Sequence, residues 1–194
     1  MTKTTRRRAV CAALIIAVLR RTSGAAAMES GEPTAVVRVD HEAAVSASEL
    51  QVAEGRAAEV FRRIGTRVTW VDEETAIREE ILAPYTVVVM VGRPWHDDGG
   101  RARLVDNALG LAAPAAHRAH VYYDRVVAMQ GGSRRSIGSI LGDVIAHELG
   151  HLLLPPPSHS FTGIMRPNVS FDWPIETFTE AEARQIRSQL RQAP

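Results

Sequence analysis

The stretch from about Arg135 to Leu154 reads as one long helix, and it limits what this chain can become more than any other segment. Ile137, Ile140, Leu141, Val144, Ile145, Leu152 and Leu153 make the helix apolar round nearly its whole circumference, so it belongs deep in a core. The same helix carries His147, Glu148 and His151. Two imidazoles and a carboxylate do not enter a core without partners, because an uncompensated buried charge is costly. A metal ion is the simplest partner for all three. His147 and His151 stand one helical turn apart on one face, so both can meet a single ion. Glu148 lies about 100° further round, which sets its carboxylate beside the ion's water and not on the ion. Two ligands plus a carboxylate base for the water is the division expected of a zinc hydrolase, with Zn2+ as the cofactor.

The flanks of the motif sharpen this. Gly138, Gly142, Ala146 and Gly150 form a small-residue stripe at four-residue spacing, which implies that another backbone approaches closely there. Asp143 is one turn before His147 and has two readings: an acceptor for that histidine's ring N–H, or an exposed charge near the helix start. Catalytic zinc usually takes three protein ligands and a water, so one ligand is still owed. Pro155-Pro156-Pro157 cannot continue the helix. Directly after them comes Ser158-His159-Ser160, and a chain that turns back there brings His159 to the metal as third ligand.

The rest of the chain reads as alternating strands and helices. Strands are expected at Ala35–Val39, Arg67–Val71, Thr86–Val91 and Ala119–Val126, the third as a β-branched run covered on both faces. Ser48 and Gln51 form a capping box opening a helix with apolar positions from Leu50 to Ile64, stopped by Gly65. Thr179 and Glu182 form a second box, opening a helix through about Leu190. The fold class is therefore α/β: a small twisted mixed sheet with a backing helix, a buried active-site helix and a C-terminal helix.

Residues 1–27 stand apart. Arg6-Arg7-Arg8, an apolar run from Ala9 to Leu19 and Ala25-Ala26-Ala27 follow the order of a secretory signal, with Arg20 and Arg21 leaving an uncleaved anchor as the alternative. Residues 28–194 are then one catalytic domain, secreted or periplasmic, and expected to work as a monomer. The first 27 residues hold six basic side chains and no acid, so their removal turns the net charge from +1 to −5. A mildly acidic domain gives no electrostatic case for a nucleic-acid partner. The single cysteine, Cys11, falls in the leader, so any metal in the domain is held by histidine and carboxylate.

Phe161-Thr162-Gly163-Ile164-Met165-Arg166-Pro167 follows the candidate third ligand. With His147, Glu148, His151 and the His159-Ser160 pair, this stretch resembles the metzincin clan of zinc peptidases, in particular its matrixins. The resemblance implies an endopeptidase acting on a peptide or protein substrate. It makes Glu148 the general base, His147, His151 and His159 the ligands, and Met165 the methionine of the tight turn beneath the metal. It further implies an edge strand that pairs with substrate, for which Val121, Tyr122 and Tyr123 are the candidates. The chain departs from the clan's pattern in one place. Leu154 holds the position of the clan's glycine, Pro157 that of its third histidine, and the histidine here arrives two residues later.

Two rival readings keep the motif. One takes the third ligand from a downstream acid, Glu176, Glu180 or Glu182, as gluzincins do. The other is a non-catalytic zinc-binding protein of the cell envelope, against which the intact Glu148 speaks. His41, His96, His117 and His120 lack paired spacing and read as strand or loop residues, while Trp70, Trp95 and Trp173 read as core or rim packing.

Overall fold

Alternation along the strands decides which face of the sheet is covered. The computed structural model describes residues 31–42, 44–80, 85–90, 108–167 and 177–192. Residues 1–27, Trp95, His96, Trp173 and Glu176 lie outside these residues. The strands are β1 (Thr34–His41), β2 (Arg67–Asp72), β3 (Tyr85–Met90), β4 (Gly110–Ala113) and β5 (Arg118–Tyr122). Ala35, Val37 and Val39 of β1 and Tyr85, Val87 and Val89 of β3 are buried, and the residues between them are half-buried. The β-branched run of β3 thus has one fully covered face and not two. The helices are α1 (Ala47–Arg62), the short α2 (Glu73–Arg78), α3 (Tyr123–Gln130), α4 (Ile137–Leu153) and α5 (Glu180–Gln192).

The five strands form one mixed sheet in the order β2-β1-β3-β5-β4. β2, β1, β3 and β5 run parallel, and β4 pairs antiparallel with β5. This is the expected α/β class, and it agrees with an α+β zincin-like arrangement. Three local expectations are corrected. The strand expected to reach Val126 ends at Tyr122, and Tyr123 begins α3. Val121 and Tyr122 do not lie on an edge, because β4 covers β5, and both side chains are almost fully buried. The edge strand on this side, among the described residues, is β4. Third, α1 opens at Ser46 and not at Ser48. Ser46 and Glu49 make the reciprocal box, each backbone N–H donating to the other's side chain at 3.2 Å. The same spacing occurs twice in this stretch; Glu49 also accepts from the hydroxyls of Ser46 and Tyr123, which Gln51 does not.

Helix α4 is buried from Gly138 to Leu153 apart from Ser139 and His151, as its apolar circumference demands. It packs on α1 through the small-residue stripe. A methyl at Gly138 would stand 2.7 Å from the Glu49 carbonyl oxygen, and one at Gly142 2.5 Å from that of Ala53. The close backbone approach expected from the stripe is present. Asp143 follows neither of its two readings. It is buried and accepts from Arg56 Nε of α1 at 2.6 Å and pairs with Arg135 at 2.6 Å, so it ties α1, α4 and the preceding loop together. At the far end Thr179 and Glu182 cap α5 as expected: Thr179 N donates to the Glu182 carboxylate at 2.7 Å. Among the described residues no helix is long and apolar enough to cross a membrane.

Candidate metal centre

The end of α4 sets the geometry of the site. Leu154 turns to extended backbone while its N–H still donates to the Gly150 carbonyl at 2.9 Å. The prolines carry the chain out of the helix and Ser158-His159 bring it back. The ligand-capable nitrogens of His147, His151 and His159 all lie within 4.8 Å of one another. Ring centroids are 4.7 Å apart for His147–His151 and His151–His159, and 5.5 Å for His147–His159. Exposure rises along the series: His147 is buried, His151 half-buried and His159 exposed, so the cluster opens to solvent on the His159 side.

Each α4 histidine is held from behind. His147 Nδ1 lies 2.7 Å from the Ile164 carbonyl oxygen. A carbonyl only accepts, so Nδ1 carries the proton and Nε2 presents a lone pair in the neutral ring. His151 Nδ1 lies 2.5 Å from the Ser158 hydroxyl oxygen, and its Nε2 faces His147 Nε2 at 3.0 Å. Burial holds His147 below the usual histidine range, against the raising effect of the Ile164 carbonyl. Burial, with His147 and His159 close by, brings His151 down to about 3. Both rings are therefore kept in the neutral form that binds metal.

The turn after His159 braces this arrangement. Ser160 N donates to the Met165 carbonyl at 3.0 Å and Ile164 N to the Thr177 carbonyl at 3.0 Å. Gly163 adopts a positive φ of 78°, and a side chain there would meet the Thr177 carbonyl at 2.5 Å, so this turn requires glycine. Met165 is fully buried, and its thioether occupies the space that a side chain at Gly150 would take, one residue before His151. The smallness of Gly150 thus serves the turn, whereas Gly138 and Gly142 serve α1.

Glu148 is 5% exposed, and burial pushes its carboxyl up to about 8. Its carboxylate is not one of the three clustered ligand groups, and Gly110 of β4 packs directly against it. The gluzincin-type acids fare differently. The Glu182 carboxylate caps α5, and Glu180 is exposed beside Arg184, so neither joins the histidines.

Four contributors were not singled out from the sequence: Ser158, the Ile164 carbonyl, Gly110 and the arginine pair, Arg56 and Arg135, that binds Asp143. Ser158 had a usable signal, its place immediately before the third histidine. The others depend on contacts between distant segments.

A metal ion fits this donor set. Histidine nitrogens about 2.0–2.1 Å from a tetrahedral zinc lie roughly 3.4 Å from one another. The 3.0 Å between the two Nε2 atoms is close to that spacing. The three histidines can therefore hold one ion.

No family model matches the chain. No curated protein matches it either. Among solved structures it is similar to a zinc-dependent peptidase from Methanocorpusculum labreanum. The two share 14% identity over 79% of this chain and 99% of that one, with a TM-score of 0.46.

Proposed function

We propose that the protein is a zinc-dependent endopeptidase of the metzincin type, with His147, His151 and His159 as ligands and Glu148 as general base. The observation that carries this reading is the convergence of three imidazoles where a buried helix ends, with a buried carboxylate on that same helix. Zinc bound there supplies a Lewis acid that polarises a carbonyl and acidifies water. Glu148 accepts the proton of the attacking water and returns it to the departing amine. A carboxyl raised toward neutral pH is matched to that exchange, since it both takes and gives a proton near pH 7. Met165 and the turn it belongs to keep the His147 ring oriented through Ile164. Strand β4 borders the site, and an extended substrate backbone would pair along it. The basic, apolar and small-residue order of residues 1–27 supports an extracytoplasmic location.

Metal analysis and a peptide-library digest test the reading together. The purified protein should carry one zinc, His159→Ala little, and Glu148→Gln a full complement with cleavage abolished. A protein that takes up no zinc on reconstitution would end the proposal. One that binds zinc but cleaves nothing, with Glu148→Gln behaving identically, would make it a non-catalytic zinc protein.

A further inference from the structure

Strand β4 meets Glu148 at Gly110. Gly110 opens the strand and pairs with Val121 of β5. A Cβ placed on it would stand 2.6 Å from both Cγ and Oε1 of Glu148 and 2.7 Å from its Cδ, where ordinary contact begins at 3.4 Å. The Glu148 side chain thus fills the space of the methyl that Gly110 lacks. This differs in kind from the glycines of α4 that face α1. A methyl at Gly142 would strike the Ala53 carbonyl oxygen, which is backbone, whereas at Gly110 all three nearest atoms belong to one acidic side chain.

The strand is fixed in that place from behind. Tyr122 N donates to the Leu109 carbonyl at 2.9 Å. Arg125 donates to the Ala108 carbonyl, and its guanidinium lies 4.9 Å from the Tyr122 ring centroid. Glu148 is rooted in α4, which is buried along nearly its whole length. Its side chain is the softest member of the contact, so that is what an added methyl displaces.

We propose that Gly110 is a positioning residue for the base: the absence of a side chain at this point of β4 sets where the Glu148 carboxylate stands. The inference rests on the reading of Glu148 as base. Moving from 2.6 Å to ordinary contact displaces the carboxylate by about 1 Å. A misplacement of that size costs roughly 10²-fold in rate. The ligands and their supports at Ser158 and Ile164 lie elsewhere, so zinc affinity stays unchanged.

Gly110→Ala and Glu148→Gln in the full chain test it, assayed side by side on a peptide that the wild type cleaves. Gly110→Ala should lower kcat roughly 10²-fold with KM little changed and with wild-type zinc content. Its crystal structure should show β4 in place and the Glu148 carboxylate displaced. If Glu148→Gln is inactive while Gly110→Ala turns over like wild type, the base reading stands and the proposal fails. If Glu148→Gln remains active, the base reading itself falls and takes the proposal with it. A structure in which β4 has moved and Glu148 has not would reduce Gly110 to packing, and that result is independent of any activity.

Discussion

Replacing Gly142 with alanine sets two effects of opposite sign against each other. In a helix interior alanine is favoured over glycine by about 1 kcal/mol. Against that, the new methyl would stand 2.5 Å from the Ala53 carbonyl oxygen and 2.6 and 2.8 Å from Cβ and Cγ of Arg56. Bringing the carbonyl to 3.4 Å moves α1 away from α4 by about 0.9 Å, and no rotamer change relieves a backbone contact. Arg56 is not free to yield, since its guanidinium is bound to Asp143. Overpacking of this kind costs about 1–3 kcal/mol, and the coupled ion pair places it toward the upper end. The net expectation is a loss of about 1–2 kcal/mol, or a fall in Tm of roughly 3–8 °C for a domain of this size. Gly55, on the exposed side of α1, has nothing within 4 Å of its added methyl. Gly55→Ala should therefore raise stability by about 0.5–1 kcal/mol. Thermal and urea unfolding of the two variants beside wild type gives the answer as a sign. A Gly142→Ala protein as stable as wild type would refute the view that α1 and α4 meet backbone to backbone at this stripe.

Two further perturbations follow from buried polar contacts. Asp143→Asn leaves Arg56 and Arg135 facing each other in a site where the aspartate is only 5% exposed, and should cost about 3 kcal/mol in urea unfolding; a loss under about 1 kcal/mol would mean that solvent already compensates the guanidinium groups. Ser158→Ala removes the hydroxyl from His151 Nδ1 and should weaken zinc binding roughly 10–100-fold in a chelator competition titration. An unchanged affinity there would show that packing alone orients the ring.

The parts of this molecule that could be read from the chain are those whose signal is local. Helix α4 declared itself because apolar residues surround it, and the histidines stood out because they interrupt that surface. Strands β1, β2 and β3 carried runs of valine and threonine. Strand β4 has none: Gly-Leu-Ala-Ala is extended because it pairs with β5, a tertiary cause with no local trace. The run from Tyr122 to Val127 is rich in strand-forming residues, yet Tyr123 and Val126 are buried three positions apart, at helical spacing, and α3 forms. Short apolar runs of this kind are ambiguous between the two periods. With the end of β5 misplaced, the edge of the sheet was misplaced too. Asp143 looked like a partner for His147 because the arginine that takes it is 87 residues distant.

Ser158 and His159 are neighbours in sequence, and the first contacts His151 while the second joins the cluster. The segment after the helix is therefore measured twice. A residue inserted before Ser158 shifts the hydroxyl and the imidazole out of register together, and one inserted between them separates the two. Drift in loop length, which surface connections ordinarily tolerate, is forbidden here at single-residue resolution, so the proline run works as a ruler whose length is fixed at both marks.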